Sequence, residues 1–217
     1  MKDAEIERVV SILKKEIAAF KVPVVGVYAE SRDPFIVLVS CILSLRTRDK
    51  VTYEASERLF AFAGAPSKLA AASVPAIEKA IYPVSFYRVK ARSLKKLAQD
   101  LLDRFGGRVP DTMEDLLSLK GVGRKTANLT LTLGHRKPGI CVDIHVHRIS
   151  NRLGYVKTKD PEDTEMALRR KLPRKYWMIY NDLLVPYGQN LCTPISPFCS
   201  RCKLSRFCAR RGVTTTR

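Results

Sequence analysis

Apolar residues along the chain recur mainly at helical spacing. Ile6, Val9, Val10, Leu13, Ile17 and Phe20 share one face of a 3.6-residue repeat, which predicts an amphipathic helix within residues 2–20. Asp33-Pro34 is a helix start, with Asp as the cap and Pro at the first helical position. The run Phe35 to Leu45 is apolar nearly all round, so it predicts a buried central helix. Further helices are predicted over about 48–63, closed by Gly64, and over about 74–82. A long helix over 87–105 sets Val89, Leu94, Leu97, Leu101, Leu102 and Phe105 mostly on one face and stops at Gly106-Gly107. Asp111 with Glu114 predicts a capping box for a short helix to Leu119. Another helix begins at Asp160-Pro161 and ends before Pro173. No alternating strand pair and no repeat is found. The fold class is all-α, with roughly ten helices by this periodicity.

Composition narrows the picture. The chain has 217 residues, enough for one domain or two small ones, and 46% are hydrophobic, which excludes a disordered polymer. Phe35 to Leu45 is too short to cross a bilayer, and the N-terminus Met-Lys-Asp-Ala-Glu-Ile-Glu-Arg has no apolar signal core. A cytoplasmic protein with reduced cysteines and no membrane partner is expected, associated with the nucleoid if prokaryotic. The formal net charge of +18 points to a polyanionic partner, most often nucleic acid. That charge is uneven. Residues 86–108 hold seven bases and two acids, 120–137 five bases and no acid, and 176–217 six bases and one acid.

Two local patterns carry chemistry. Leu119-Lys120-Gly121-Val122-Gly123-Arg124-Lys125 joins the short helix to a second one over about 125–133. Two glycines one residue apart permit a tight turn, and the next helix then offers unpaired N–H groups and a positive dipole end. Flanked by Lys120, Arg124 and Lys125, this reads as a backbone phosphate site that holds DNA without reading sequence. Cys192, Cys199, Cys202 and Cys208 follow the spacing C-x6-C-x2-C-x5-C. Four thiolates so close suit a metal site, and the spacing alone fits structural zinc or an iron–sulfur cluster equally. Cys41 and Cys141 sit in apolar contexts as ordinary buried thiols.

Gly121-Val122-Gly123-Arg124-Lys125-Thr126-Ala127-Asn128, then Val142-Asp143-Ile144-His145-Val146-His147-Arg148, then the cysteine spacing, occur in an order that resembles the endonuclease III family of helix-hairpin-helix DNA glycosylases. Asp33-Pro34-Phe35 and the stretch from Ser44 to Asp49 match as well, so the likeness covers nearly the whole chain. It implies a [4Fe-4S] cluster at the four cysteines (cluster loop 192–208). It implies two lobes with a DNA groove between them: 28–137, containing the helix-hairpin-helix at about 111–133, and 1–27 combined with 138–217. It implies a monomer that acts on double-stranded DNA, removing oxidised pyrimidines through a lysine Schiff base and cutting the abasic strand by β-elimination. The other readings are a monofunctional mismatch glycosylase and a non-catalytic iron–sulfur DNA-binding module.

On this resemblance Lys125 is the nucleophile and Asp143 the catalytic carboxylate. A lysine amine attacks only when neutral, and Arg124, the helix N-terminus and partial burial would all favour the neutral form. Asp143 would stabilise positive charge developing on the sugar, and it also fits as the N-cap of a helix over 144–153. A base inside a duplex must be flipped out and its space filled. Phe86 lies at the family's wedge position, although aromatic packing at a helix start explains it equally well. Arg46 stands where relatives often carry glutamine. Lys120 stands where relatives usually carry proline, and is expected to add a phosphate contact and to loosen the turn. The loop Thr-Pro-Ile-Ser-Pro-Phe between Cys192 and Cys199 has no base, so Arg201, Lys203, Arg206 and Arg210 are expected to supply the DNA contacts there. His145 reads as a structural histidine, Asn128 as a local hydrogen-bonding group, and Trp177 and Tyr187 as packing beneath the cysteine loop.

Overall fold

A computed structural model describes residues 1–20 and 33–217. Among these residues there are eleven α-helices, short 3-10 turns and no strand. The helices are α1 Ile6–Ile17, α2 Pro34–Ser44, α3 Asp49–Ala63, α4 Pro66–Ala71, α5 Val74–Ile81, α6 Tyr87–Phe105, α7 Met113–Leu117, α8 Arg124–Leu129, α9 Ile144–Arg152, α10 Pro161–Lys171 and α11 Trp177–Asn190. The chain divides into two compact units, Met1–Pro23 with Pro138–Arg217, and Val24–Lys137. The expected lobe boundary at 27/28 lies outside the described residues.

The second unit is built on α2. Asp33 caps it by accepting the Phe35 N–H at 2.8 Å, and Pro34 takes the first turn, where a missing N–H costs nothing. Phe35 and every residue from Val37 to Leu43 are buried. Leu59 of α3, Leu69 of α4, Ile77 of α5, Leu94 and Leu97 of α6, and Ala127 of α8 close the core around it. After Leu129 the helix continues as a π-turn, Thr130–Gly134. This turn passes so close to α2 that a Cβ on Gly134 would lie 2.8 Å from the Pro34 Cα.

Three details depart from the periodic reading. Pro66–Ala71 forms a helix that has too few turns to show a period. The cap of α7 is Thr112, whose hydroxyl accepts the Asp115 N–H at 3.2 Å. Asp111 instead forms an ion pair with Lys137 at 2.7 Å. On α6, Val89 is exposed, and its neighbour Lys90 is buried. The apolar stripe therefore starts at Ala91 rather than Val89.

In the first unit, α1 packs Ile6, Val9, Val10 and Leu13 into a core shared with Val146 and Ile149 of α9, Leu168 of α10, and Tyr180, Leu184 and Tyr187 of α11. A segment from the start of the chain thus completes a core made from its end. Among the described residues, no helix is long and apolar enough to cross a membrane.

Gly134→Ala should lower stability by about 1–3 kcal/mol, because the clashing atom belongs to backbone and cannot swing away. Denaturant midpoints followed by circular dichroism check this, and an unchanged midpoint would contradict the close packing of α2 on the π-turn.

Candidate active site and cysteine centre

The hairpin between α7 and α8 is a tight turn. Gly121 has a φ of 88°, in the left-handed region that favours glycine. Gly123 has an ordinary φ of −97°. A Cβ on either glycine would meet no heavy atom within 4 Å. Nothing inside the chain therefore requires glycine at 123, and the open space there suits close approach by a ligand backbone. Val122 turns inward: its side chain is buried and its N–H bonds the Leu119 carbonyl at 3.1 Å, so it shapes the turn from within. Lys120 is exposed and Arg124 is partly exposed.

Lys125 sits in the first turn of α8. Its side chain is exposed rather than partly buried as expected. Its positive charge acts on the thiol of Cys41, in the middle of α2. Burial pushes that thiol up to about 12, the nearby cation opposing it only in part, so Cys41 stays protonated and inert.

Asp143 belongs to the other unit and caps α9. Its Oδ1 accepts two backbone hydrogen bonds, from the N–H of His145 and of Val146, each at 2.9 Å. The carboxylate is buried, held at a fixed height over a positive dipole end. Ile144, the next residue, is 65% exposed. His145 faces Arg148, with Nδ1 at 3.1 Å from a guanidinium nitrogen, which agrees with a structural role.

The loops 45–48 and 82–86 meet at their tips. Arg46 and Phe86 both hold left-handed backbone, with φ of 57° and 59°. The Arg46 guanidinium lies 5.1 Å from the centroid of the Phe86 ring. Phe86 is 58% exposed, so it is not core packing. Beneath the tips, Thr47 Oγ1 accepts the Ser85 N–H at 3.2 Å. Lys90 Nζ donates to the carbonyls of Leu43 and Leu45 at 2.8 and 2.7 Å and to Thr47 Oγ1 at 3.3 Å. Burial pushes the Lys90 ammonium down to about 8. Lys90 thus belongs to the interior, although it lies in one of the three basic stretches.

Cys192, Cys199, Cys202 and Cys208 line one small cavity together with Arg152, Pro197, Phe198 and Val213. Arg152 Nη1 donates to the Cys192 sulfur at 3.4 Å, and its guanidinium holds the Thr193 and Pro194 carbonyls at 2.7 and 2.6 Å. Arg148 bonds the Cys192 and Gly188 carbonyls. The Tyr187 hydroxyl is 3.0 Å from the Cys202 sulfur. Burial pushes the Cys202 and Cys208 thiols up, and the other cysteines of the set push the same way. Four sulfur donors around one cavity are a set that a metal centre would use, its positive charge offsetting theirs once they ionise. Among the described residues no three His, Cys, Asp or Glu side chains converge as ligands of a single ion.

Arg201 and Lys203 are exposed beside this loop. Arg217 reaches back to it: its N–H bonds the Pro197 carbonyl at 2.8 Å, its Nε the Ser196 carbonyl at 2.9 Å, and its guanidinium lies 4.1 Å from the Phe198 ring centroid. The loop without a base of its own is therefore flanked by Arg201 and Arg217, both over the Phe198 ring. Sequence reasoning missed Arg217, Lys90 and Thr47, because each acts through a partner distant along the chain.

A model of the HhH-GPD superfamily of base excision DNA repair proteins matches residues 39–174. An endonuclease III of Thermotoga maritima is 47% identical over 183 residues, spanning 83% of this chain and 86% of the relative. A trapped endonuclease III–DNA covalent intermediate superposes with a TM-score of 0.84 at 28% identity, over 97% of both chains. A non-covalent endonuclease III–DNA complex superposes with a TM-score of 0.85 at 30% identity, over 97% of this chain and 96% of that one. A family-model match through both hairpin and capped aspartate, with a relative at nearly half identity, places this chain in the endonuclease III family of the HhH-GPD superfamily, and it is a DNA glycosylase and abasic-site lyase of base excision repair.

Proposed function

We propose that this chain removes oxidised pyrimidines from double-stranded DNA with Lys125 as nucleophile and Asp143 as the assisting carboxylate. The observation that carries the reading is the exposed lysine in the first turn of α8, directly after the open Gly121–Gly123 hairpin. The backbone of Gly121 and Gly123, with Lys120 and Arg124, would take a phosphodiester beside it, since N–H groups and bases at a helix start favour an anion. Arg46 and Phe86 would enter the duplex as the base leaves. A stacked cation and ring present a planar surface to neighbouring bases. One chain holds all these groups, so a monomer suffices, working wherever the cell keeps its DNA.

The neutral Lys125 Nζ attacks C1′ of the deoxyribose. The C1′–N bond to the base breaks as a C1′–Nζ bond forms, and the proton lost by the amine ends on the departing base. Ring opening gives an imine, which acidifies the 2′ hydrogen. Loss of that proton expels the 3′ oxygen, cutting the strand 3′ to the site. The Asp143 carboxylate, fixed by two N–H groups, would stabilise positive charge on the sugar and assist proton transfer. Cys192, Cys199, Cys202 and Cys208 would hold a [4Fe-4S] cluster, supported by the four thiols around one cavity and by the family resemblance. When bound, such a cluster supplies four covalent anchor points for the loop that carries Arg201, Lys203 and the Arg217 contacts.

Borohydride reduction should trap a covalent complex between the wild-type enzyme and abasic DNA. Lys125→Gln should abolish it while leaving DNA binding within about threefold, because the side chain is exposed and removing it disturbs little packing. A trapped complex in that variant would overturn the assignment. Phe86→Ala should slow excision from a damaged duplex much more than cleavage of a preformed abasic site, measured in single turnover; equal losses would remove Phe86 as the wedge. Charge reversal at Arg201 and Lys203 should weaken DNA binding and reduce the slope of log K against log salt by about 0.9 per lost phosphate contact. An unchanged slope would place the DNA elsewhere.

A further inference from the structure

Lys90 is placed where a lysine costs stability. It is 8% exposed, one helical turn into α6, and its neighbours in that stripe are Ala91 and Leu94. A buried ammonium is tolerated only when all three N–H groups find acceptors. Its three acceptors are the Leu43 carbonyl near the end of α2, the Leu45 carbonyl and Thr47 Oγ1. The two carbonyls sit at a helix C-terminus, where the chain has no further N–H to offer them. Two of the three acceptors, Leu45 and Thr47, immediately flank Arg46.

Arg46 and Phe86 are non-glycine residues in left-handed backbone, a conformation that persists only when surroundings impose it. Beneath the two tips the loops are joined by hydrogen bonds. Lys90 grips both sides of Arg46. Thr47 Oγ1, itself held by Lys90, receives the N–H of Ser85, the residue before Phe86. Lys90 lies in the first turn of α6, which Phe86 precedes, so its helix starts at one loop while its side chain reaches the other. The resulting geometry is the Arg46–Phe86 stack.

We propose that Lys90 is a positioning residue for base extrusion: it holds Arg46 and Phe86 as one pre-formed two-part probe, without itself touching DNA. The inference rests on the reading of Arg46 and Phe86 as the groups that enter the duplex. A probe assembled before binding does not have to be ordered while the base leaves, so its disruption slows extrusion and spares the chemistry on DNA that needs none.

The test uses the cluster-loaded enzyme carrying Lys90→Met, which keeps the length and loses the donors. Two single-turnover rates are compared: excision of an oxidised thymine from a duplex, and strand cleavage at an abasic site in single-stranded DNA. The expected result is a loss of about tenfold or more in the first, with the second changed less than about threefold, since small misplacement of a positioning group suffices for losses of that size. Thr47→Val, at a half-exposed site that leaves folding intact, should show the same split to a smaller degree and stands in if Lys90→Met does not fold. The double variant Lys90→Met with Phe86→Ala should lose clearly less on the duplex than the product of the two single losses, because both act on one probe. Equal losses on both substrates would make Lys90 a structural cap of α2 only, and so would additive losses in the double variant. If Phe86→Ala shows the split and the Lys90 and Thr47 variants do not, the positioning role alone falls. If Phe86→Ala shows no split, the probe falls, and the role of Lys90 with it.

Discussion

The all-round burial of α2 is the constraint on which the second unit depends. A helix apolar on every side must be enclosed on every side. That requirement brings α3, α6, α8 and the π-turn against one axis and forces glycine at 134, where no side chain fits over Pro34. It sets the start of α8, and with it Lys125, near enough to Cys41 for the lysine charge to act on that thiol. At its far end, α2 delivers Leu43 and Leu45 to the Lys90 ammonium and projects Arg46 outward. Lys125 and the loop tip are thus both placed relative to one buried helix.

The first unit solves a different problem, that of holding an irregular loop, whose backbone groups lack helical partners, around four thiols. Arginines do this work. Arg148 and Arg152 of α9 satisfy the carbonyls of Gly188, Cys192, Thr193 and Pro194, the C-terminal end of α11 and the first part of the cysteine loop. The planar, always-charged guanidinium suits this, because it offers several donors in fixed directions. The net charge of +18 therefore overstates the electrostatic surface for DNA. Lys90, Arg148 and Arg152 use their charge inside the protein, whereas Lys120, Lys125, Arg201 and Lys203 remain at the surface.

Much of the fold was legible in the chain. The Asp33-Pro34 start, the Asp160 cap, the Gly106 stop of α6 and the buried character of α2 all appear where local signals place them. Each rests on interactions within four or five residues, which is the range that sequence pattern records. Failures occurred where a partner lay elsewhere. Asp111 looked like half of a capping box, but Lys137 draws it into an ion pair and Thr112 caps instead. Val89 looked apolar and inward, but the carbonyls at the end of α2 claim the buried position for Lys90.

The sequence by itself determined the helical class, the hairpin that presents Lys125, the cap that fixes Asp143 and the grouping of four cysteines, because each is encoded within a short segment. Only the tertiary structure decided that Phe86 faces outward against Arg46 rather than into the core, that Lys90 is interior, and that Arg217 returns to the cysteine loop. These depend on pairs separated by roughly 20 to 45 positions along the chain. Which of several polar groups satisfies a given buried carbonyl or stacks on a given ring is settled by packing, and packing is a property of the whole fold.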